Sequence, residues 1–251
     1  MFRRFLPAIV FALFFPLPAR AQFSTVINVP PDTAPESIDS DTQLNLSDLG
    51  SLPSNFDAGV WDDSSTNVEV NILGGHAGGG LEAFDGSTVN ISGGGVGSFR
   101  AYSGSTVNIS GGWVGRVFVE TGATVNISGG GVGEGTQANS GSTVNISGGL
   151  IDSDFVANSG STVHITGGTV IENFHANSGS DVNLYGGEFR LDGVPIAGLD
   201  TPGDTLAFNL LDGSLLSGTW ADGTVFAFTS QVSDRFDDGT LTLRAVSLPA
   251  I

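Results

Sequence analysis

The sequence predicts an all-β chain, a right-handed parallel β-helix of about eight coils of 18–19 residues with a C-terminal antiparallel β cap. Three observations predict it. The motif STVNISGG returns at 87–94, 105–112 and 142–149, with the variants GATVNISGG at 122–130 and STVHITGG at 161–168. Its central residue falls at Asn71, Asn90, Asn108, Asn126, Asn145, His164 and Asn183, in steps of 19, 18, 18, 19, 19 and 19. A period near 20 marks a solenoid, whose repeats bury their apolar face only by stacking on neighbours. Finally, the apolar residues of each copy keep fixed offsets: Val163, Ile165, Val170, Phe174, Ala176 repeat the spacing of Val144, Ile146, Ile151, Phe155, Ala157. Val-x-Ile and Phe-x-Ala are period-2 pieces, hence strands, and the Gly and Asn-Ser-Gly runs between them are turns.

In chain order, Met1 to Arg4 is a short basic region, 5–18 an apolar run, and Ala19-Arg20-Ala21 a small-residue cleavage site. This predicts a signal peptide over 1–21, cleaved after Ala21, and a secreted or cell-surface protein. The run is too short for a membrane span. Residues 22–41 read as an extended lead-in, with 25–29 as a first strand. The array occupies 42–194, beginning with a diverged coil at Leu44, Leu46, Leu52, Phe56 and Ala58, followed by a longer segment that holds Trp61-Asp62-Asp63. The 18-residue copies lose one residue ahead of the Phe-x-Ala piece. That deletion belongs in a turn, because inside a strand it would exchange the two faces. Right-handed coiling follows from the usual chirality of parallel crossovers. Residues 195–251 form the cap and a tail. Segments 205–210, 214–220, 224–229 and 240–246 alternate as strands, with Asp-Gly turns at 212–213, 222–223 and 238–239.

Composition narrows the function. The 251 residues hold 26 Asp and Glu against 8 basic residues, all Arg, for a net charge of −18. Nucleic acid and anionic membranes need a basic footprint that this surface lacks. No cysteine is present, so there is neither a disulfide nor a thiolate metal site. Acidity alone admits Ca²⁺ association, but the Gly-Gly-x-Gly-x-Asp calcium nonapeptide is missing, and no cofactor is implied. The histidines at 76, 164 and 175 fall in different columns.

If Val and Ile point inward, the Thr and Asn between them form outward columns. These read as rung-to-rung hydrogen bonding or, alternatively, as a flat ice-binding face. The Phe-x-Ala side varies instead, and its outward positions give the candidate ligand-binding residues Arg100, Tyr102, Arg116, Phe118, Glu120 and His175. Arginine and aromatic side chains suit a polysaccharide by ion pairing and stacking. Trp113 reads as a ring covering neighbouring glycines. Catalysis on a polysaccharide calls for paired carboxylates on adjacent rungs. Asp152 and Asp154 find no stacked partner in the repeat alignment, so no catalytic residue is assigned.

The VNISGGxVG coils, the ANSGS linkers and the tail motifs FRLDGVPI (189–196) and WADGTVFAF (220–228) resemble a family of repetitive secreted proteins. Its members occur chiefly in planctomycetes and related environmental bacteria. The resemblance covers about residues 42–246 and implies a repetitive surface or matrix protein. Some members end in a PEP-CTERM sorting signal, made of Pro-Glu-Pro, an apolar helix and an Arg cluster. This chain shows none of the three, so release or matrix association is expected. The resemblance carries over no catalytic residues. The sequence thus reads as a secreted structural or adhesive β-solenoid that holds extracellular polysaccharide, with a polysaccharide lyase or hydrolase and an ice-binding protein as alternatives.

Overall fold

A computed structural model describes residues 23–152, 154–170, 174–208, 214–229 and 240–249. The signal peptide expected over 1–21 and the Asp-Gly pairs at 212–213 and 238–239 lie outside the described residues. Among the described residues the chain is all-β, without a helix, and its parallel strands stack as a solenoid of about eight turns. Among the described residues no helix is long and apolar enough to cross a membrane.

Each coil contributes to three walls. The first wall is the Thr-Val-Asn-Ile wall. It begins with Thr25–Val29, Thr42–Leu46, Val68–Ile72, Ser87–Ile91 and Thr106–Ile109, all parallel and in register. It continues through 124–127, 143–146, 162–165 and 181–184. The second wall pairs Ser51–Leu52 with 76–77 and runs on through Val96, Val114, Val132 and Ile151. The third is the Phe-x-Ala wall, from Ser37–Ile38 and Asp57–Ala58 to Phe155–Ala157 and Phe174–Ala176. The extended segment ahead of residue 42 is therefore already a rung, since Ile27 lies beside Leu44 and Ile38 beside Ala58.

Alternation decides what is inside. Val89, Val107, Val125, Val144 and Val163 are fully buried, and so are their Ile partners two residues on. The diverged coil obeys the same rule, with Leu44, Leu46, Leu52, Phe56 and Ala58 all buried. The corners are made by small residues. At the third-wall corner Ser142 donates its hydroxyl to the Asn139 carbonyl at 2.6 Å, and Gly141 takes φ +74°, a left-handed conformation in which a side chain is strained. At the first-wall corner Gly130 has φ +72°, and a Cβ there would lie 2.7 Å from the backbone of Gly111 on the rung before. The second glycine of each SGG is thus required twice over.

The one-residue length changes sit between the second and third walls. Gly80 is extra between Gly79 and Leu81, which pair with the consecutive Ser98 and Phe99. Gly133 and Glu134 together stand between Val132 and Gly135, where Gly115 alone stands between Val114 and Arg116. A bulge placed there leaves the inward Val and Phe columns in phase.

In the inward column of the third wall one position departs from the apolar rule. Thr136 stands between Val117 and Phe155, is 1% exposed, and its Oγ1 finds no hydrogen-bond partner. A buried unpaired hydroxyl carries its desolvation penalty uncompensated. Thr136→Val is expected to stabilise the fold by about 1–3 kcal/mol. The urea midpoint should rise at unchanged slope.

The C-terminal unit differs from the expected antiparallel sheet. Leu215–Trp220 and Val225–Thr229 form a hairpin, and Leu215–Trp220 lies antiparallel on 186–191. Thr240–Ala245, however, runs parallel to 181–186 as one more rung of the first wall, and Thr205–Phe208 closes it antiparallel. The reason lies in the pattern Thr240-Leu241-Thr242-Leu243, which repeats the polar–apolar beat of the wall and buries Leu241 and Leu243 beside Val182 and Leu184. Alternation tells which residues point inward but not which way a strand runs. Trp220, 1% exposed, stacks on Phe226 at 3.9 Å between ring centroids and donates Nε1–H to the Gly168 carbonyl at 3.1 Å. Phe228 reaches Phe174 at 5.8 Å. The cap thereby continues the interior column and covers its end. The tail also packs, with Leu248 over Gly187 and Pro249 over Gly223.

Candidate functional site

The first wall is bonded to itself. Each Asn amide donates Nδ2–H to the Oδ1 of the Asn one rung earlier. The bonds are Asn45 to Asn28 (3.0 Å), Asn71 to Asn45 (3.0 Å), Asn90 to Asn71 (2.9 Å), Asn108 to Asn90 (2.9 Å), Asn126 to Asn108 (2.8 Å) and Asn145 to Asn126 (2.8 Å). Such a ladder stiffens the sheet and engages its donors internally. The regularity that made this wall conspicuous in the sequence belongs to the scaffold, and His164 ends it.

The third wall is different. Its main outward column runs Asp57, Glu82, Arg100, Phe118, Gln137, Val156 and His175. The Arg100 guanidinium lies over the Phe118 ring, 5.1 Å from its centroid, and Nε is 3.5 Å from Glu120 Oε1. Glu120 Oε2 accepts from Asn139 at 2.8 Å, Asn139 from Asn158 at 2.9 Å, and Asn158 from Asn177 at 3.0 Å. Arg100 is thus clamped at the end of a second, shorter polar ladder. Beside it Tyr102 stacks on Phe84, with centroids 4.8 Å apart and planes at 2°.

The segment between Ala58 and Val68 adds a third ring. Trp61 stands edge-on to Phe84 at 5.7 Å and to Tyr102 at 5.4 Å, and is itself 73% exposed. Ser65 anchors this segment. It is buried, accepts from the Val60 N–H at 2.9 Å, and donates to Asp39 Oδ1 at 2.8 Å. The hydrogen bond from Ser65, and after it that from the Ser40 N–H, lowers the Asp39 pKa. A lowered pKa means stability that is present above the ordinary carboxylate pKa and lost as pH falls through the folded value. Acid therefore loosens the anchor of the Trp61 segment. Asp57 has the opposite sign, because burial raises its pKa. Its charge opposes folding at neutral pH, and protonation relieves that cost. Asp57→Asn is expected to raise the melting temperature at pH 7 and to lose that advantage below about pH 4, where the wild-type carboxyl is also neutral.

Further along the same wall, the Glu134 bulge opens a groove of about 260 Å³ lined by Arg116, Phe118, Glu134, Gln137, Asp154 and Val156 among others. Arg116 Nε is 3.4 Å from Glu134 Oε2, and both side chains are more than half exposed. Surface ion pairs of this kind contribute little to stability. Arg116 and Glu134 are accordingly available to a ligand.

The structure brings Arg100, Tyr102, Phe118 and Glu120 together and places Arg116 at the adjoining groove. His175 stands four rungs from Arg100 in the same column, roughly 19 Å away at the usual strand spacing. Two participants are absent from the sequence reading. Trp61 lies in a segment outside the repeat, so no alignment gave it neighbours. Glu134 lies at the two-for-one bulge of a 19-residue coil, where the repeat spacing calls for a turn. It also corrects the carboxylate count, since Asp154 shares the groove with Glu134 of the preceding rung. Trp113, 46% exposed on the second wall, does lie over Gly131 and Gly133 of the next rung. Among the described residues no group of three or more His, Asp or Glu is placed to hold a metal ion.

Fold and site together define a three-walled parallel β-solenoid with one self-bonded wall and one irregular, aromatic-bearing wall. No protein-family model matches the chain, and no curated protein or solved structure matches it.

Proposed function

We propose that the protein is a secreted structural or adhesive β-solenoid of the cell surface or extracellular matrix that holds polysaccharide along its third wall. Secretion is read from residues 1–21. The observation that carries the binding is the exposed Trp61–Tyr102 platform next to the Arg100–Phe118 stack and the Arg116 groove. Aromatic faces stack on the apolar faces of sugar rings, and arginine forks pair with acidic substituents. The site spans successive rungs, so a linear polymer lying along the solenoid axis meets each in turn.

A second reading, a polysaccharide hydrolase or lyase, has one observation in its favour: Glu134 and Asp154 line one groove with Arg116. A polysaccharide array with the purified protein separates the two. Retention of polymer without new reducing or unsaturated ends, reduced at least tenfold in Trp61→Ala and Tyr102→Ala, supports the structural reading. Steady release of ends that stops in Glu134→Gln or Asp154→Asn supports the enzyme.

A further inference from the structure

The described arginines outside the leader are disposed unequally. Arg100 and Arg116 pair with carboxylates. Arg190 is exposed and donates to the Gly193 carbonyl at 3.1 Å. Arg244 is built in more firmly. It lies on the strand that continues the first wall, in register with Tyr185 on one side and Thr205 on the other. Its Nε–H donates to Asn183 Oδ1 at 2.7 Å, and Asn183 is fully buried. Its guanidinium lies over the Tyr185 ring, 5.7 Å from the centroid. The Tyr185 hydroxyl is in turn 3.2 Å from His164 Nδ1. The cation is held from two directions, yet among the described residues it makes no ion pair.

Arg244 borders an open pocket of about 490 Å³ together with Tyr185, Asp204, Thr205 and Ser247. Asp204 is engaged locally, its Oδ2 accepting from the Thr201 N–H at 2.8 Å. In a chain of net charge −18, carboxylates are plentiful, and a fixed guanidinium that pairs with none among the described residues, beside a concavity, is a ready anion receptor. The planar fork matches a carboxylate bidentately. A single cation with Asp204 nearby suits a singly charged anion better than a dianionic phosphate. The hydroxyls of Thr205 and Ser247 add partners for a polyhydroxylated ligand.

We propose that this pocket binds the carboxylate of a sugar acid, with Arg244 pairing the carboxylate and Thr205 and Ser247 meeting the ring hydroxyls. The site is separate from the third wall and does not depend on polymer binding there. Titration calorimetry of the full protein with D-glucuronate is the test, with D-glucose and inorganic phosphate as comparison ligands. Glucuronate is expected to bind one to one, with glucose and phosphate at least tenfold weaker. Arg244→Gln should weaken glucuronate at least tenfold, Arg244→Lys should weaken it partly, and Arg190→Gln, with the same loss of charge, should leave it unchanged. Thr205→Val and Ser247→Ala spare the Asn183 bond, so they read the pocket even if Arg244→Gln folds poorly; each should weaken glucuronate several-fold. The proposal is overturned by equal binding of glucose and glucuronate, by tighter binding of phosphate, by no saturable binding, or by unchanged affinity in a folded Arg244→Gln or in both hydroxyl variants.

Discussion

Trp220→Ala is expected to destabilise the protein by about 3–5 kcal/mol, the range for emptying a large buried aromatic site. Trp220 is 1% exposed, stacks on Phe226, and is tied through its indole N–H to Gly168 in the last coils. Its loss removes both the plug and the bond that holds the plug down. The effect should exceed the loss of stability, because an uncovered solenoid end presents strand edges and apolar columns to other chains. The variant should therefore self-associate at concentrations where the wild type does not, as read by light scattering. Trp220→Phe keeps most of the packing and loses the indole bond, so a cost of about 1 kcal/mol is expected. A Trp220→Ala protein with wild-type urea midpoint and no association would remove the cap from this account.

Phe155→Ala is expected to cost about 3–5 kcal/mol as well, but with a different spatial signature. Phe155 is fully buried and stacks on Phe174 at 5.1 Å between centroids, with planes at 10°. On its other side lies Thr136, a smaller neighbour that cannot fill the gap. In a solenoid each rung contacts only its neighbours, so stability is close to a sum of rung and interface contributions. The cavity should cut the chain into two poorly coupled blocks. Amide exchange is expected to accelerate from about residue 136 towards the cap, while the rungs from Thr42 to Val119 keep their protection. A uniform acceleration over all rungs would show that the coils unfold as a single cooperative unit.

These effects follow from a pattern that was largely legible in the sequence. The Asn ruler located every rung of the array from Val68–Ile72 to Asp181–Leu191, and offsets alone recovered the diverged coil at Leu44 to Ala58. Periodicity works well here because one small motif is stacked repeatedly, and any error in phase would expose a whole column. What stayed hidden are the places where the repeat ends or is interrupted. Thr240–Ala245 has the beat of the wall, but the direction of a strand is set by where the chain returns from, which no local pattern encodes. Trp61 owes its partners Phe84 and Tyr102 to the way an inserted segment folds back, held by Ser65 on Asp39. Glu134 depended on where within three residues a one-residue bulge would fall. The candidate site is made mostly of such interruptions. That is why Arg100, Tyr102, Arg116, Phe118 and Glu120 could be named as outward and variable, while the platform and groove they form could not.

The proposed function gives polymer recognition to the third wall and not to the second. Hydroxyl-radical footprinting with a polysaccharide retained on the array tests that division most directly, because Trp61 at 73% and Trp113 at 46% exposure lie on different walls of one molecule. Bound polymer is expected to protect Trp61, Tyr102 and Phe118 and to leave Trp113 unchanged. Protection of Trp113 with Trp61 and Tyr102 still fully reactive would contradict it.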